Sequence, residues 1–290
     1  MPMSEVTKQD IVAGLKRLEL NPPVVAVHSS LRSFGRVQNG PGTVISALLD
    51  CFDTVMMPGF QYAASVPPPV NPPPERNGCD YQIHFDHVNP PKPYRVADVP
   101  VRPSVGVVAK TFAERTDVLR SNHPWHSWTA WGKHAAELTR DHPWTTTNPP
   151  LERLAAMGGW VLLMGVTLAS CTAIHRAEEQ AGRRPFIRWA MDDRGTIQEV
   201  LASGCGKGFG RLAPHCEDLF RRVQINTCNV MAAPITALVE RVAPVIRANP
   251  ELTRCSETCL RCRDIIAGGP VVISGPGKRR PAKVRSQHPL

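Results

Sequence analysis

Two apolar runs constrain this chain more than any other feature. Val24-Val-Ala-Val27 and Trp160-Val-Leu-Leu-Met-Gly-Val166 both lead into polar segments that are followed by helical periodicity. Runs of this length fall far short of the ~18 to 20 apolar residues that cross a membrane, and they fit strands buried on both faces. A strand apolar on both faces needs helices on each side, so the expected fold is α/β with a mixed central sheet.

The flanking patterns agree. Ser4 or Thr7 can cap a helix carrying Ile11, Leu15 and Leu18, which Asn21-Pro-Pro23 ends; a second helical pattern runs from Thr43 to Asp50, and Thr54 to Pro58 reads as another strand. Further on, 105–112 reads as a strand or helix start, and 130–138, 172–181, 227–248 and 256–267 read as helices. The stretch 204–210, with four glycines, reads as a turn, and it lacks the ending of a nucleotide P-loop. Residues 66–103 break the alternation with Val66-Pro-Pro-Pro-Val-Asn-Pro-Pro-Pro74 and Asn89-Pro-Pro-Lys-Pro93, which impose extended backbone on a long excursion: a binding loop, a lid or a plain surface insertion. One domain over 1–274 and a flexible tail over 275–290 are expected.

Composition excludes several classes. With 290 residues, 42% hydrophobic and a net charge of +9, the chain is too apolar for disorder, and nine cysteines at irregular spacing fit reduced thiols better than a disulfide framework. The N-terminus has neither a signal-peptide nor a transit-peptide pattern, so the expected location is cytoplasmic, without membrane partners. Residues 275–290 hold five basic residues and no acid, leaving 29 basic against 25 acidic residues elsewhere, or +4. Such a tail can touch polyanions or simply aid solubility. Nucleic-acid binding is not expected, since zinc-finger spacing, an RNP motif and a basic helix interleaved with aromatics are all missing.

Three segments carry candidate chemistry. His28, Ser29, Ser30, Leu31, Arg32 and Ser33 form a polar loop at a strand end, where backbone N–H groups, hydroxyls and a guanidinium can hold phosphate or pantetheine oxygens, or where serines simply make a turn or cap. Arg120, Ser121, His123 and Ser127 lie in a second polar segment, whose imidazoles lack the further ligands a metal needs, as do His84 and His87. In the third, His175 and Glu178 stand i and i+3 on a helical pattern, the spacing at which a carboxylate can orient an imidazole as a general base; a helix bearing one His and a surface ion pair is the plainer reading. Cys171 beside them suggests a covalent acetyl-cysteine relay as a minor alternative.

Cys255, Cys259 and Cys262 fall, with Ile266, on one face if their segment is helical, so they read as buried small hydrophobes. Their spacing, three then two intervening residues, is also that of an iron–sulfur ligand set used in radical chemistry, and a structural zinc using Cys216 or His215 is the main rival reading.

Taken in order, Val27-His-Ser-Ser-Leu-Arg-Ser-Phe-Gly35, Met57-Pro58, Arg102-Pro-Ser-Val-Gly106, Arg120-Ser-Asn-His-Pro-Trp-His-Ser127 with Trp131-Gly132, Leu162-Leu-Met-Gly-Val166 and Thr172-Ala-Ile-His-Arg-Ala-Glu178 resemble the aminoglycoside 3-N-acetyltransferase family, antibiotic N-acetyltransferases distinct from the GCN5-like fold. The resemblance reaches to about residue 270. It implies a layered α/β/α fold and direct transfer from acetyl-CoA to the 3-amino group of a 2-deoxystreptamine aminoglycoside, with antibiotic resistance as the consequence. His175 would then be the base and Glu178 its orienting partner, with CoA near residues 28–33 and 120–127 and no metal expected. Thr172, Asp80, Asp86 and Glu179 would face the acceptor, with Glu75 a further acidic candidate. The mild positive charge of the folded part and the unusual proline-rich excursion depart from what a polycationic acceptor leads one to expect. Acylation of another amine, or CoA binding by an inactive relative, are the alternatives.

Overall fold

The computed structural model describes residues 5–81, 83 and 92–271; Asp86, His84, His87 and the basic tail lie outside the described residues. A seven-stranded mixed sheet runs through the centre, in the order β3-β4-β2-β1-β5-β9-β8. Its parallel heart is β1 (Val24–Ser29), flanked by β2 (Thr54–Pro58) on one edge and β5 (Trp160–Met164) on the other. Antiparallel strands extend both sides: β3 (Leu119–Arg120) and β4 (Trp128–Gly132) beyond β2, β8 (Arg221–Ile225) and β9 (Cys228–Pro234) beyond β5.

The strands bury both faces, as their composition requires. Val25, Val27, Leu162 and Met164 point to a layer made by α1 (Lys8–Lys16), α2 (Pro41–Cys51) and α3 (Val107–Ala113). Ala26, Val161 and Leu163 point to the opposite layer of α4 (Ala135–Thr139), α5 (Pro149–Ala156), α6 (Ala173–Gln180) and α7 (Ile235–Ala248). The result is an α/β/α sandwich, in which alternate residues of a strand feed alternate cores. Thr7 caps α1 through a reciprocal pair with Asp10, and Pro41 starts α2 at a position where its missing N–H costs nothing.

Three helical expectations are corrected. Residues 128–132 form β4, leaving only Ala135–Thr139 helical, and 228–234 form β9 ahead of α7. Both strands pair along the sheet, and that ladder outweighs an ambiguous local pattern. The segment before Leu260 is not helical, so α8 spans only Leu260–Ile266.

A hairpin of β6 (Phe186–Met191) and β7 (Ile197–Ala202) forms a separate two-stranded sheet. The proline-rich excursion packs on it. Val66 N–H donates to the Trp189 carbonyl and Tyr94 N–H to that of Met191, while Asn77 exchanges hydrogen bonds with both backbone groups of Ile187. Val66, Ile187 and Trp189 close a small core of their own. No helix among the described residues is long and apolar enough to cross a membrane.

Candidate active site

A cleft of about 680 Å³ opens at the carboxyl ends of β1, β2 and β5. The chain passes from β1 outward to β2 and returns as β5 on β1's other edge, and such a reversal leaves a crevice between the loops that follow the strands. Two of the three predicted segments reach it: His28, Ser29, Ser30, Leu31 and Arg32 line one wall, and Thr172 and His175 line another.

His175 sits in the first turns of α6, and its Nδ1 lies 2.6 Å from Glu178 Oε2. Glu178 is 3% exposed, too buried to remain charged without partners, and Arg183 Nη1 donates to its other oxygen at 2.5 Å. Arg183 is itself anchored, donating to Thr253 Oγ1 at 2.8 Å and to the Pro250 carbonyl at 2.7 Å. The Phe209 ring packs edge-on to the imidazole at 4.9 Å. With Nδ1 engaged by the Glu178 carboxyl, Nε2 is the ring nitrogen left to accept a proton. The plainer reading of a surface ion pair does not describe this arrangement.

His28 is buried against Trp128, and burial pulls its pKa down to about 4, so the ring is neutral. Its Nε2 has no hydrogen-bond partner among the described residues, although the residue lines the cleft. Ser33 turns inward instead, donating to the Ser30 carbonyl and packing where Gly165, at φ +66°, leaves no room for a Cβ.

The second predicted segment is brought to a different task. Arg120 donates to Ser127 Oγ and to the carbonyls of Val99 and Gly59, and Ser127 donates to Gly59 O. Ser121 Oγ receives the Trp128 N–H and meets His142 Nδ1 at 2.9 Å, while His123 Nδ1 accepts the N–H groups of Trp125 and His126. None of Arg120, Ser121, His123 or Ser127 lines the cleft. Their polar atoms are consumed in holding β3, β4 and the β2 exit together.

Of the acidic candidates among the described residues, none lines the main cleft. Glu179 lies in a narrow side crevice with His175 and Glu178; there it accepts a hydrogen bond from Thr147 Oγ1, and burial raises its pKa. Glu75 and Asp80 are exposed and outside the cleft. Cys171 lines the cleft but is 1% exposed, and burial pushes its thiol up to about 12, which keeps it protonated and argues against the acetyl-cysteine relay.

Sequence reasoning missed much of the lining. Arg102, stacked over Tyr62 at 4.2 Å, Ser104, Gly106, Lys207 and Arg261 all contribute. The glycine-rich turn at 204–210, given no part in phosphate binding by its motif, supplies Gly204, Gly206 and Lys207. The charged residues among the described lining are therefore Arg32, Arg102, Lys207 and Arg261, with no carboxylate. Only the Arg102-Pro-Ser-Val-Gly106 match offered a signal, and it did not indicate a role.

Comparison with known proteins places the architecture first. The fold superposes on the YokD protein from Bacillus subtilis with a TM-score of 0.72 at 27% identity, covering 86% of this chain and 96% of that one. It also superposes on the aminoglycoside acetyltransferase AAC(3)-IVa apoenzyme with a TM-score of 0.71 at 23% identity, covering 92% and 100%. A sequence profile described as aminoglycoside 3-N-acetyltransferase matches residues 26–246, and the chain belongs to that family.

Among curated relatives, the SPbeta prophage-derived aminoglycoside N(3')-acetyltransferase-like protein YokD of Bacillus subtilis is 34% identical over 59% of this chain and 64% of its own length. Aminoglycoside N(3)-acetyltransferase VII of Streptomyces paromomycinus is 32% identical over 61% of each. The matched part thus spans less than two thirds of the length of these relatives.

Proposed function

We propose that the protein is an acetyl-CoA-dependent N-acetyltransferase in which His175 is the general base and Glu178 its orienting partner. The observation that carries this reading is the His175–Glu178–Arg183 chain, set at the wall of a cleft whose other charged side chains are cationic.

The chemistry follows from these groups. An acceptor ammonium first loses one proton to solvent; the neutral amine nitrogen then attacks the thioester carbonyl carbon while His175 Nε2 takes a second proton. Collapse of the tetrahedral adduct breaks the carbon–sulfur bond, and the CoA thiolate leaves with a proton returned by the imidazolium. Glu178 stabilises that imidazolium, and Arg183 holds the carboxyl group in place. A thioester is already activated, so positioning and oxyanion stabilisation supply most of the remaining acceleration, with Thr172 and Ser29 within the lining as hydroxyl donors.

Arg32, Arg102, Lys207 and Arg261 match the phosphates of CoA. The unpartnered His28 Nε2 supplies a polar contact on the same wall. One of the family structures is the binary complex of AAC-IIIb with CoASH, which supports the choice of donor.

For the acceptor, the 3-amino group of a 2-deoxystreptamine aminoglycoside is the first candidate, and acetylation there would confer resistance. Structures of AAC(3)-IVa in complex with a gentamicin and with apramycin support it. A second reading rests on the charge of the site: with no carboxylate among the described residues of the main cleft, an amine carrying fewer positive charges suits it better than a polycation.

Thiol release from acetyl-CoA, measured with a panel of 2-deoxystreptamine aminoglycosides beside monoamines and amino acids, separates the two readings. Turnover with the antibiotics and a product acetylated at N3 by mass spectrometry supports the first; turnover with simple amines alone supports the second. Acetyl-CoA that binds and is never turned over with any amine overturns both.

A further inference from the structure

Four cysteines that the transfer reaction does not use converge beside the cleft. Cys205 comes from the loop after β7, Cys255 from the turn after the short helix Pro250–Thr253, Cys259 caps α8 and Cys262 lies in its first turn. Their four sulfur atoms all lie within 4.8 Å of one another. Cys205 Sγ is 3.8 Å from Cys255 Sγ, which is 3.5 Å from Cys262 Sγ.

Hydrophobic packing does not explain this arrangement. Because the chain is helical only from Leu260, Cys255 and Cys259 share no helix face with Cys262, and both are half-exposed. Cys216, the sulfur that the sequence offered as a fourth ligand, is instead buried in the main core, donating to the Leu212 carbonyl.

We propose that Cys205, Cys255, Cys259 and Cys262 form a structural zinc site. Zinc–sulfur bonds of about 2.3 Å directed to the corners of a tetrahedron put neighbouring sulfurs about 3.8 Å apart, the spacing these thiols already approach. A four-iron cluster carries its thiolates on the corners of a cube-like core and spreads them beyond 4.8 Å. The x3 and x2 separations of Cys255, Cys259 and Cys262 fall within the two to four residues that commonly part zinc ligands, and four thiolates leave no open coordination position for substrate.

The surroundings complete the site. The backbone N–H of Cys255 donates to Cys262 Sγ at 3.4 Å, a contact of the kind that orients thiolate ligands. On binding, each thiol gives its proton to solvent, and four thiolates with one zinc ion carry a net charge of −2. Arg261 offsets part of that charge, its guanidinium bonded to the carbonyls of Ser203 and Gly204 just before Cys205. Gly208 lets the loop press against the Thr253 carbonyl, which a Cβ would meet at 2.0 Å. The metal would thus tie loop 204–208 to 255–262, and with it the cleft residues Gly204, Gly206, Lys207 and Arg261.

The test is elemental analysis of the full chain, purified in reductant, incubated with zinc chloride and freed of excess metal by gel filtration. About one zinc per chain is expected, falling below about a tenth in Cys259→Ser, retained in Cys259→His, and unchanged in Cys51→Ser, a thiol at the end of α2. Cobalt(II) in place of zinc should give the intense visible bands of a tetrahedral thiolate site, and chelation should lower the melting temperature of the wild type. A folded wild-type chain that retains no zinc overturns the proposal, as does one that holds iron in its place. Zinc retained in folded Cys255→Ser and Cys259→Ser overturns this ligand set. These readouts do not depend on transferase activity, so they stand or fall separately from the proposed reaction.

Discussion

Segments 120–127 and 171–178 look alike as sequences, each offering histidine, arginine and hydroxyl side chains at a strand or helix end, yet they do opposite things. In the first, His123 lies with its ring centre 4.4 Å from that of His142, which Ser121 of the same segment meets, and the two rings are bonded to the backbone carbonyls of Thr146 and Thr147. These partners are all neutral, and burial drives both pKa values down, to about 4 for His142. In the second, His175 meets a carboxylate fixed by Arg183 and lines the cleft. An imidazole sealed among neutral acceptors is a hydrogen-bonding strut; one with a carboxyl partner and an open face can take a proton.

Exchanging the lesions between the two segments is the strongest way to break that contrast. His175→Ala should lower kcat by about 10²- to 10⁴-fold with little change in melting temperature. His123→Ala should instead leave buried N–H groups unpaired and cost about 2–4 kcal/mol of stability, while turnover per folded molecule is kept. Steady-state kinetics beside thermal unfolding reads both, and a folded His123→Ala with a comparable fall in kcat would erase the distinction.

Acid sharpens it next. Buried imidazoles with depressed pKa values bind protons more readily in the unfolded chain, so stability falls as pH drops below the ordinary histidine value near 6.5. For His28 and His142 the loss continues down to about pH 4, a window worth roughly 3 kcal/mol for each ring. Urea unfolding between pH 7 and 4 should show this slope, and His142→Gln should flatten it. An unchanged slope in that variant would mean that His142 is not held neutral.

The smallest effect concerns the cationic wall. Lys207→Ala or Arg102→Ala should raise KM for acetyl-CoA about 3- to 10-fold with kcat nearly constant, and the difference should shrink as salt screens the charges. A fall in kcat at constant KM would move these residues from donor binding to the reacting centre.

How much could be read beforehand divides along the same line. The His175–Glu178 pair was legible because i and i+3 neighbours on a helix meet whatever the rest of the fold does. The loop 28–32 was legible because a strand buried on both faces must end in a polar turn. Arg183 was not, since it reaches Glu178 through a bond buried between α6 and the Pro250–Thr253 turn. Lys207 and Arg102 come from loops and Arg261 from the start of α8, far apart in the chain, and nothing local marks them as neighbours. The 120–127 segment misled because polarity in a sequence does not say whether polar atoms face a ligand or one another.

The sequence by itself determined the layered α/β class, the strand identities of β1, β2 and β5, and the local imidazole–carboxylate pair, because hydrophobic period and short-range geometry act within a few residues. Tertiary structure alone decided that 128–132 and 228–234 pair as strands, that four cations and no described carboxylate line the cleft, and that Cys205 joins three cysteines some fifty residues away. Those outcomes depend on contacts between segments far apart in the chain, where the energy of pairing and burial outweighs local preference.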